Sequence, residues 1–262
     1  MITIKNAHQL AKMRSAGHLL YDVLCGLREV IVPGMTTLAL DAWASERIRK
    51  AGAVPSFLNY HGYPACICTS LDSQVVHGIP SDAVTLDEGS ILSVDCGLIL
   101  DDWQADSAFT VPLGEVPDEV LALIAVTEQC FFEGARKAVD GGRMGDIGHA
   151  VQSLAERHGY GVIRMLTGHG IGRQMHEDPS VPNFGSPGNG IRLRRGMTLA
   201  IEPMIALGDY AVRELDDGWT IVTADGSPCA HYEHTIAITQ GEPEVLTLPG
   251  YAFPTTEPDA AP

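Results

Sequence analysis

The chain carries one order of elements twice. From Asn6 to about Val30 the residues Leu10, Met13, Ala16, Leu20, Leu24 and Leu27 recur every three or four positions, which predicts a long amphipathic helix stopped by Pro33-Gly34. A second helical pattern runs from about Thr37 to Lys50, opened by a Thr suited to capping and closed at Gly52. Strand-like stretches follow at Ala65 to Thr69, Ser90 to Leu100 and Asp106 to Val111, the last two joined by the turn Asp101-Asp102. The order restarts near Pro117 with a helical pattern to about Val139, the turn Asp140-Gly141-Gly142, and a helix from Gly145 to His158. Strand-like segments come next at Gly161 to Met165, Thr198 to Ile205, Trp219 to Thr223 and His231 to Thr239. Gly142 follows Gly34 by 108 residues and Gly159 follows Gly52 by 107, an offset that predicts a duplication. The expected architecture is α+β: two helix-pair-plus-antiparallel-sheet units about a pseudo-twofold axis, sharing one sheet under four helices. The repeats, about 4–112 and 117–240, would form one domain over residues 1–248. Residues 249–262 have Pro and acidic groups but no apolar period, and are expected to be a flexible tail.

Charge narrows the partners. With 33 acidic against 17 basic residues in 262, the formal net charge is -16, which disfavours nucleic acid and anionic lipid surfaces. No apolar run approaches the roughly 20 residues that cross a bilayer, and charges stand where a signal peptide needs its apolar stretch, so the expectation is a cytoplasmic protein. The six cysteines form no CxxC pair and are read as reduced thiols.

Carboxylates inside apolar strand patterns point to chemistry, because burying an unpaired charge is costly. Asp95 lies in Ile91-Leu92-Ser93-Val94-Asp95-Cys96-Gly97, and Asp106 opens the expected return strand. Glu202 lies in Leu199-Ala200-Ile201-Glu202-Pro203-Met204, and Glu233 precedes Thr235-Ile236-Ala237-Ile238. Any one of them could be satisfied by a backbone amide or an Arg. Four facing one another would repel unless cations held them, and oxygen ligands with one imidazole suit a pair of divalent metals. His169, in Gly168-His169-Gly170-Ile171-Gly172, is the candidate imidazole, since glycines on both sides permit close approach. His77, at a turn, and His176, in a polar loop, also have unusual settings.

These motifs resemble those of the bacterial type I methionine aminopeptidases. The resemblance rests on Tyr60-His61-Gly62-Tyr63-Pro64, Val76-His77-Gly78-Ile79-Pro80, Val94-Asp95-Cys96-Gly97 with Asp106, Gly168-His169-Gly170-Ile171-Gly172 with His176-Glu177, Ala200-Ile201-Glu202-Pro203 and Tyr232-Glu233-His234-Thr235. It spans roughly Ile4 to Val245. It implies the pita-bread fold and two divalent ions, Co, Mn, Fe or Zn, with Asp95 and Asp106 on one, His169 and Glu202 on the other, and Asp106 and Glu233 bridging. It further implies Glu202 as proton carrier, His176 on the developing oxyanion and His77 on the substrate backbone. The side-chain pocket would be walled by Tyr60, Tyr63, Cys68, Met175 and Trp219. Met175 stands where many relatives have Phe, and Phe57 where some have Cys. The implied activity is removal of N-terminal methionine from peptides and nascent chains, before a small second residue. The implied setting is a monomer near the ribosome exit region. The X-Pro aminopeptidases and prolidases share the ligand set, but they usually carry an additional N-terminal domain. A non-catalytic binding module on this fold would have lost ligands. His231, two residues before Glu233 where many relatives have Gln, is expected to point toward the metals if both lie on one strand, and then to titrate between about pH 5 and 8.

Overall fold

A computed structural model describes residues 1–254. Helix α1 (Ala7–Val30) begins at Asn6, whose side chain accepts from the Gln9 amide while the Gln9 side chain accepts from the Asn6 amide. Helix α2 (Thr37–Lys50) is capped by the Thr36 hydroxyl. The first half continues with β1 (Val54–Pro55), β2 (Ile67–Leu71), β3 (Gln74–Val76), β4 (Ile91–Leu100) and β5 (Trp103–Pro112). The β4–β5 turn places Asp101 and Asp102 at φ of 49° and 68°, the left-handed conformation that a two-residue hairpin demands and that Asp tolerates.

The second half repeats the helix pair as α3 (Asp118–Arg136) and α4 (Met144–Arg157), followed by β6 (Gly161–Val162), β7 (Gly168–Gly170) and β8 (Glu177–Val181). Then come β9 (Thr198–Ile201), β10 (Met204–Ala206), β11 (Val212–Glu214), β12 (Ile221–Thr223), β13 (Cys229–His231), β14 (Glu233–Ala237) and β15 (Glu244–Val245). The main sheet runs β1-β4-β5-β14-β9-β7-β8, with β2 also on β4 and β15 also on β14. The halves meet where β5 pairs with β14. Helices α1 and α3 pack on one face, and the core there includes Leu20, Leu27, Leu92, Phe109, Phe131 and Ile236, all essentially inaccessible.

One shared sheet is an incomplete description. Two three-stranded sheets, β13-β10-β6 and β11-β12-β3, flank the main one. The expected strand over Thr198–Ile205 breaks after Ile201, because Pro203 has no amide hydrogen for the ladder, and the chain passes from β9 in the main sheet to β10 in a small one. The expected strand over His231–Thr239 likewise divides at Tyr232, so His231 and Glu233 belong to different sheets. Asp106 lies inside β5 opposite Gly97, not at its start.

The expected tail also begins too early at 249. Tyr251 stacks on Phe132 with ring centres 4.8 Å apart, Phe253 is buried, and the Arg136 guanidinium donates to the Pro254 carbonyl. The remaining residues of that expectation, 255–262, lie outside the described residues. Among the described residues no helix is long and apolar enough to cross a membrane.

Candidate metal centre

Strand register assembles the cluster. Ala108 on β5 is paired with Asp95 on one side and Glu233 on the other, and Asp106 is two residues along the same strand. Side chains alternate across a sheet, so Asp95, Asp106 and Glu233 rise from one face. His169 pairs with Ala200, and Glu202 follows two residues after Ala200, which brings imidazole and carboxylate to the same face. Ala108 and Ala200 are small enough to leave the space above them open.

The distances agree with that register. Ligand atoms of Asp106, His169 and Glu233 all lie within 4.8 Å of one another. His169 Nε2 is 3.8 Å from Asp106 Oδ2 and 3.7 Å from Glu202 Oε1. The other His169 nitrogen, Nδ1, is 2.8 Å from the Gly170 carbonyl, to which it donates, so a lone pair on Nε2 is left facing the carboxylates. The backbone beneath is pinned by Thr235, whose hydroxyl donates to the Asp106 carbonyl at 2.9 Å and accepts from the Asp106 amide at 3.1 Å.

Electrostatics make the group unstable by itself. Burial pushes the Asp95 carboxyl up to about 7. Asp106, Glu202 and Glu233 are also raised well above the carboxylate range, by burial first and then by each other's charge. Burial lowers His169 to about 3, keeping it a neutral donor. Buried Asp95 Oδ1, Asp106 Oδ1 and Glu233 Oε1 have no hydrogen-bond partner among the described residues. Hard oxygen donors with no hydrogen-bond partner, beside a neutral imidazole, fit divalent cations and little else.

The cluster floors a cavity of about 230 Å³. One wall is apolar: Phe57, Tyr63, Cys68 and Met175 are buried together, with Tyr60 and Trp219 at its edge. Tyr63 and Trp219 meet edge to face with ring centres 5.0 Å apart. Cys68 is paired with Asp95 across β2 and β4, so the apolar wall abuts the carboxylates directly. Burial holds the Cys68 thiol neutral. Gly97 belongs to this wall, since a Cβ there would lie 3.0 Å from Phe57 and 3.2 Å from Met175.

The polar wall carries the histidines. His77 has φ 61°, a conformation costly for a side-chain-bearing residue, and its ring faces Trp219. His176 Nδ1 is 2.7 Å from the Tyr60 hydroxyl, and its ring centre is 4.2 Å from that of His169. All sequence-expected site residues therefore line one cavity. Two more join them. Phe57, read in the sequence only as a departure bearing on the pocket, is itself part of the apolar wall, and His61 stands at the mouth beside Tyr60. The signal for His61 was Asn59-Tyr60-His61-Gly62, whose Asn59, His61 and Gly62 all take positive φ. His231 also faces the cluster, by a route other than the one expected. From the end of β13 its Nε2 comes within 3.9 Å of both Glu202 and Glu233. It is buried, which lowers it to about 3, so the expected titration between pH 5 and 8 is withdrawn.

Comparison with known proteins agrees with this geometry. The sequence pattern of metallopeptidase family M24 matches residues 11–240. A methionine aminopeptidase of Clostridium acetobutylicum is 51% identical over 248 residues, spanning 95% of this chain and 99% of its own. The crystal structure of methionine aminopeptidase from Rickettsia prowazekii superposes with a TM-score of 0.93 at 40% identity, covering 95% of this chain and 100% of that one. An Xaa-Pro dipeptidase from Bacillus anthracis reaches a TM-score of 0.75 at 20% identity, the match covering 93% of this chain and 61% of that one, and shares the fold alone.

Proposed function

This chain belongs to metallopeptidase family M24, and from that premise we propose that it is a methionine aminopeptidase with the pita-bread fold. The observation that carries the reading is a cluster of carboxyl groups with unpartnered buried oxygens directly against an apolar pocket. Two divalent ions, of Co, Mn, Fe or Zn, would be held by Asp95 and Asp106 on one side and His169 and Glu202 on the other, with Asp106 and Glu233 shared. When bound, such ions acidify water and polarise a carbonyl.

The residues supply the rest. Glu202 takes a proton from the attacking water and returns it to the departing amine. The Tyr60 phenol, raised by burial, stays protonated and donates to His176 Nδ1, so His176 presents Nε2–H to the carbonyl oxygen as charge develops. His77, fixed by its strained backbone, hydrogen-bonds the peptide near the scissile nitrogen. The unbranched thioether of methionine fills the wall of Phe57, Tyr63, Cys68, Met175 and Trp219. A backbone held this close to the wall leaves room only for a small second residue.

In the cell the substrates would be nascent chains near the ribosome exit region, in the cytoplasm, with the enzyme acting as a monomer in protein maturation. Metal analysis of protein purified without added metal, joined to turnover of Met-Ala-Ser against Ala-Pro-Ala, tests the reading. Bound divalent metal with cleavage of Met-Ala-Ser only is expected. Cleavage of Ala-Pro-Ala alone would overturn it in favour of the X-Pro peptidases.

A further inference from the structure

The loop between β7 and β8 carries both Met175 of the apolar wall and His176 of the polar one. Its shape is governed by the next residue. Glu177 Oε1 accepts from the Arg173 amide at 2.9 Å and the Gln174 amide at 3.3 Å, tying the loop's turn to its own exit strand. Glu177 Oε2 faces the other way and accepts from Lys5 Nζ at 2.7 Å and from the Thr3 hydroxyl. This ion pair is hidden from water, with Lys5 and Glu177 side chains 4% and 9% exposed. Burial lowers Lys5 while Glu177 raises it.

Lys5 is itself fixed to the sheet. Its amide donates to the Gly196 carbonyl at 2.7 Å, and the Gly196 amide donates to Ile238, which follows β14. A Cβ on Gly172 would lie 2.4 Å from Glu177 Oε1 and 2.7 Å from Lys5 Cε, so the loop closes on the pair without slack. From the main sheet to the loop the chain of contacts is therefore continuous.

We propose that Lys5 is a positioning residue for the reaction: through Glu177 it holds the 172–176 loop so that His176 meets the developing oxyanion. The inference rests on the reading of His176 given above. Without the ammonium, a buried carboxylate is left unpaired and must take up a proton or water, and either change loosens its grip on Arg173 and Gln174. A displacement of about 1 Å at a group that acts only in the transition state costs much rate and little ground-state binding.

The test is a mutant cycle on the metal-loaded enzyme with Met-Ala-Ser. Lys5→Met is expected to lower kcat at least about tenfold while KM stays within about twofold. In a His176→Ala background the same change should move kcat by less than about twofold, because the group it positions is gone. Lys5→Arg should recover part of the loss. Imidazole NMR signals of His176, assigned with His176→Ala, should shift in Lys5→Met protein, a readout that stands whether or not Met-Ala-Ser is the substrate. If Lys5→Met does not fold, Glu177→Gln replaces it in both measurements with the same expectations. Equal loss in both backgrounds, a lowered Tm with unchanged kcat, or an unmoved His176 signal would overturn the assignment. Failure of wild-type enzyme on Met-Ala-Ser would instead overturn the proposed function, and the NMR shift would still decide whether Lys5 holds the loop.

Discussion

At Glu202 two requirements fall on one side chain. It sits 3.7 Å from His169 Nε2 and 3.9 Å from His231 Nε2, buried among three other carboxylates. Glu202→Ala should fold, since it removes a charge that burial and Asp95 disfavour, yet lose more than nine-tenths of turnover. A loss smaller than that, a barrier change under about 1.4 kcal/mol, would remove Glu202 from the proton transfer. His231 gives the contrasting expectation. Burial holds it near 3, so it is neutral through the pH range of peptide hydrolysis. His231→Gln should therefore leave the shape of the kcat/KM profile between about pH 6 and 8 unchanged, because no proton is gained or lost there in either protein. An acid limb moved by half a pH unit or more would show that His231 titrates. That these acids gather in one place was readable from sequence, because four carboxylates inside apolar strand patterns are costly to bury apart from one another and from a cation. The role of His61 was not, although it stands within Tyr60-His61-Gly62-Tyr63-Pro64, because what carries it to the cavity mouth is the positive φ of Asn59 and His61, which residue type alone does not fix.

At the scale of elements, helices were legible to within a residue or two at most of their ends and strands were not. Helix α1 announces itself by period and by the Asn6–Gln9 capping pair, both local properties. Where a strand leaves one sheet for another is set by partners distant in sequence. Pro203 marks the break after Ile201 in the sequence itself, but the division at Tyr232 has no such local marker and is set by the strands on either side of it. The C-terminal segment makes the same point. Its Tyr251 and Phe253 lack any period, yet they pack with Phe132, and Arg136 sits over the Phe253 ring at 5.4 Å. Phe253→Ala should lower the free energy of unfolding by about 2 kcal/mol, the value of one buried aromatic side chain. Urea titration measures this. The segment packs on α3 and none of its described residues lines the cavity, so kcat/KM for Met-Ala-Ser should not change, and a parallel loss of both would mean that it supports the site.

For the whole molecule the consequence is a stability that depends on metal and on pH together. In metal-free protein the folded state keeps protons on the raised carboxyls that the unfolded chain has already released. Asp95 stays protonated up to about 7, and Asp106, Glu202 and Glu233 are raised well above their ordinary 3.8 to 4.5. A raised carboxyl contributes stability that is present below the unfolded pKa and lost as pH rises toward the folded one. The histidines oppose this at lower pH. His169, His231 and His234, each lowered to about 3, must lose protons on folding between about pH 3 and their ordinary 6.5, so stability there rises with pH. Between about pH 6.5 and 8 the histidine contribution is flat and the carboxyls dominate; at higher pH the buried thiols of Cys68, Cys96, Cys130 and Cys229, also raised by burial, add to the same fall. Chelated protein should therefore lose stability from about pH 6.5 to 8, by about 1.4 kcal/mol per pH unit for each carboxyl still protonated in the folded state. Added Mn²⁺ or Co²⁺ should reverse the sign, because cations replace the protons and bind more tightly as ligands ionise. Thermal unfolding in chelator and in excess metal across that range measures both slopes. A flat chelator profile would mean that the carboxylates are not gathered and proton-bound as described, and a metal profile that falls in parallel with it would mean that cations do not bind there.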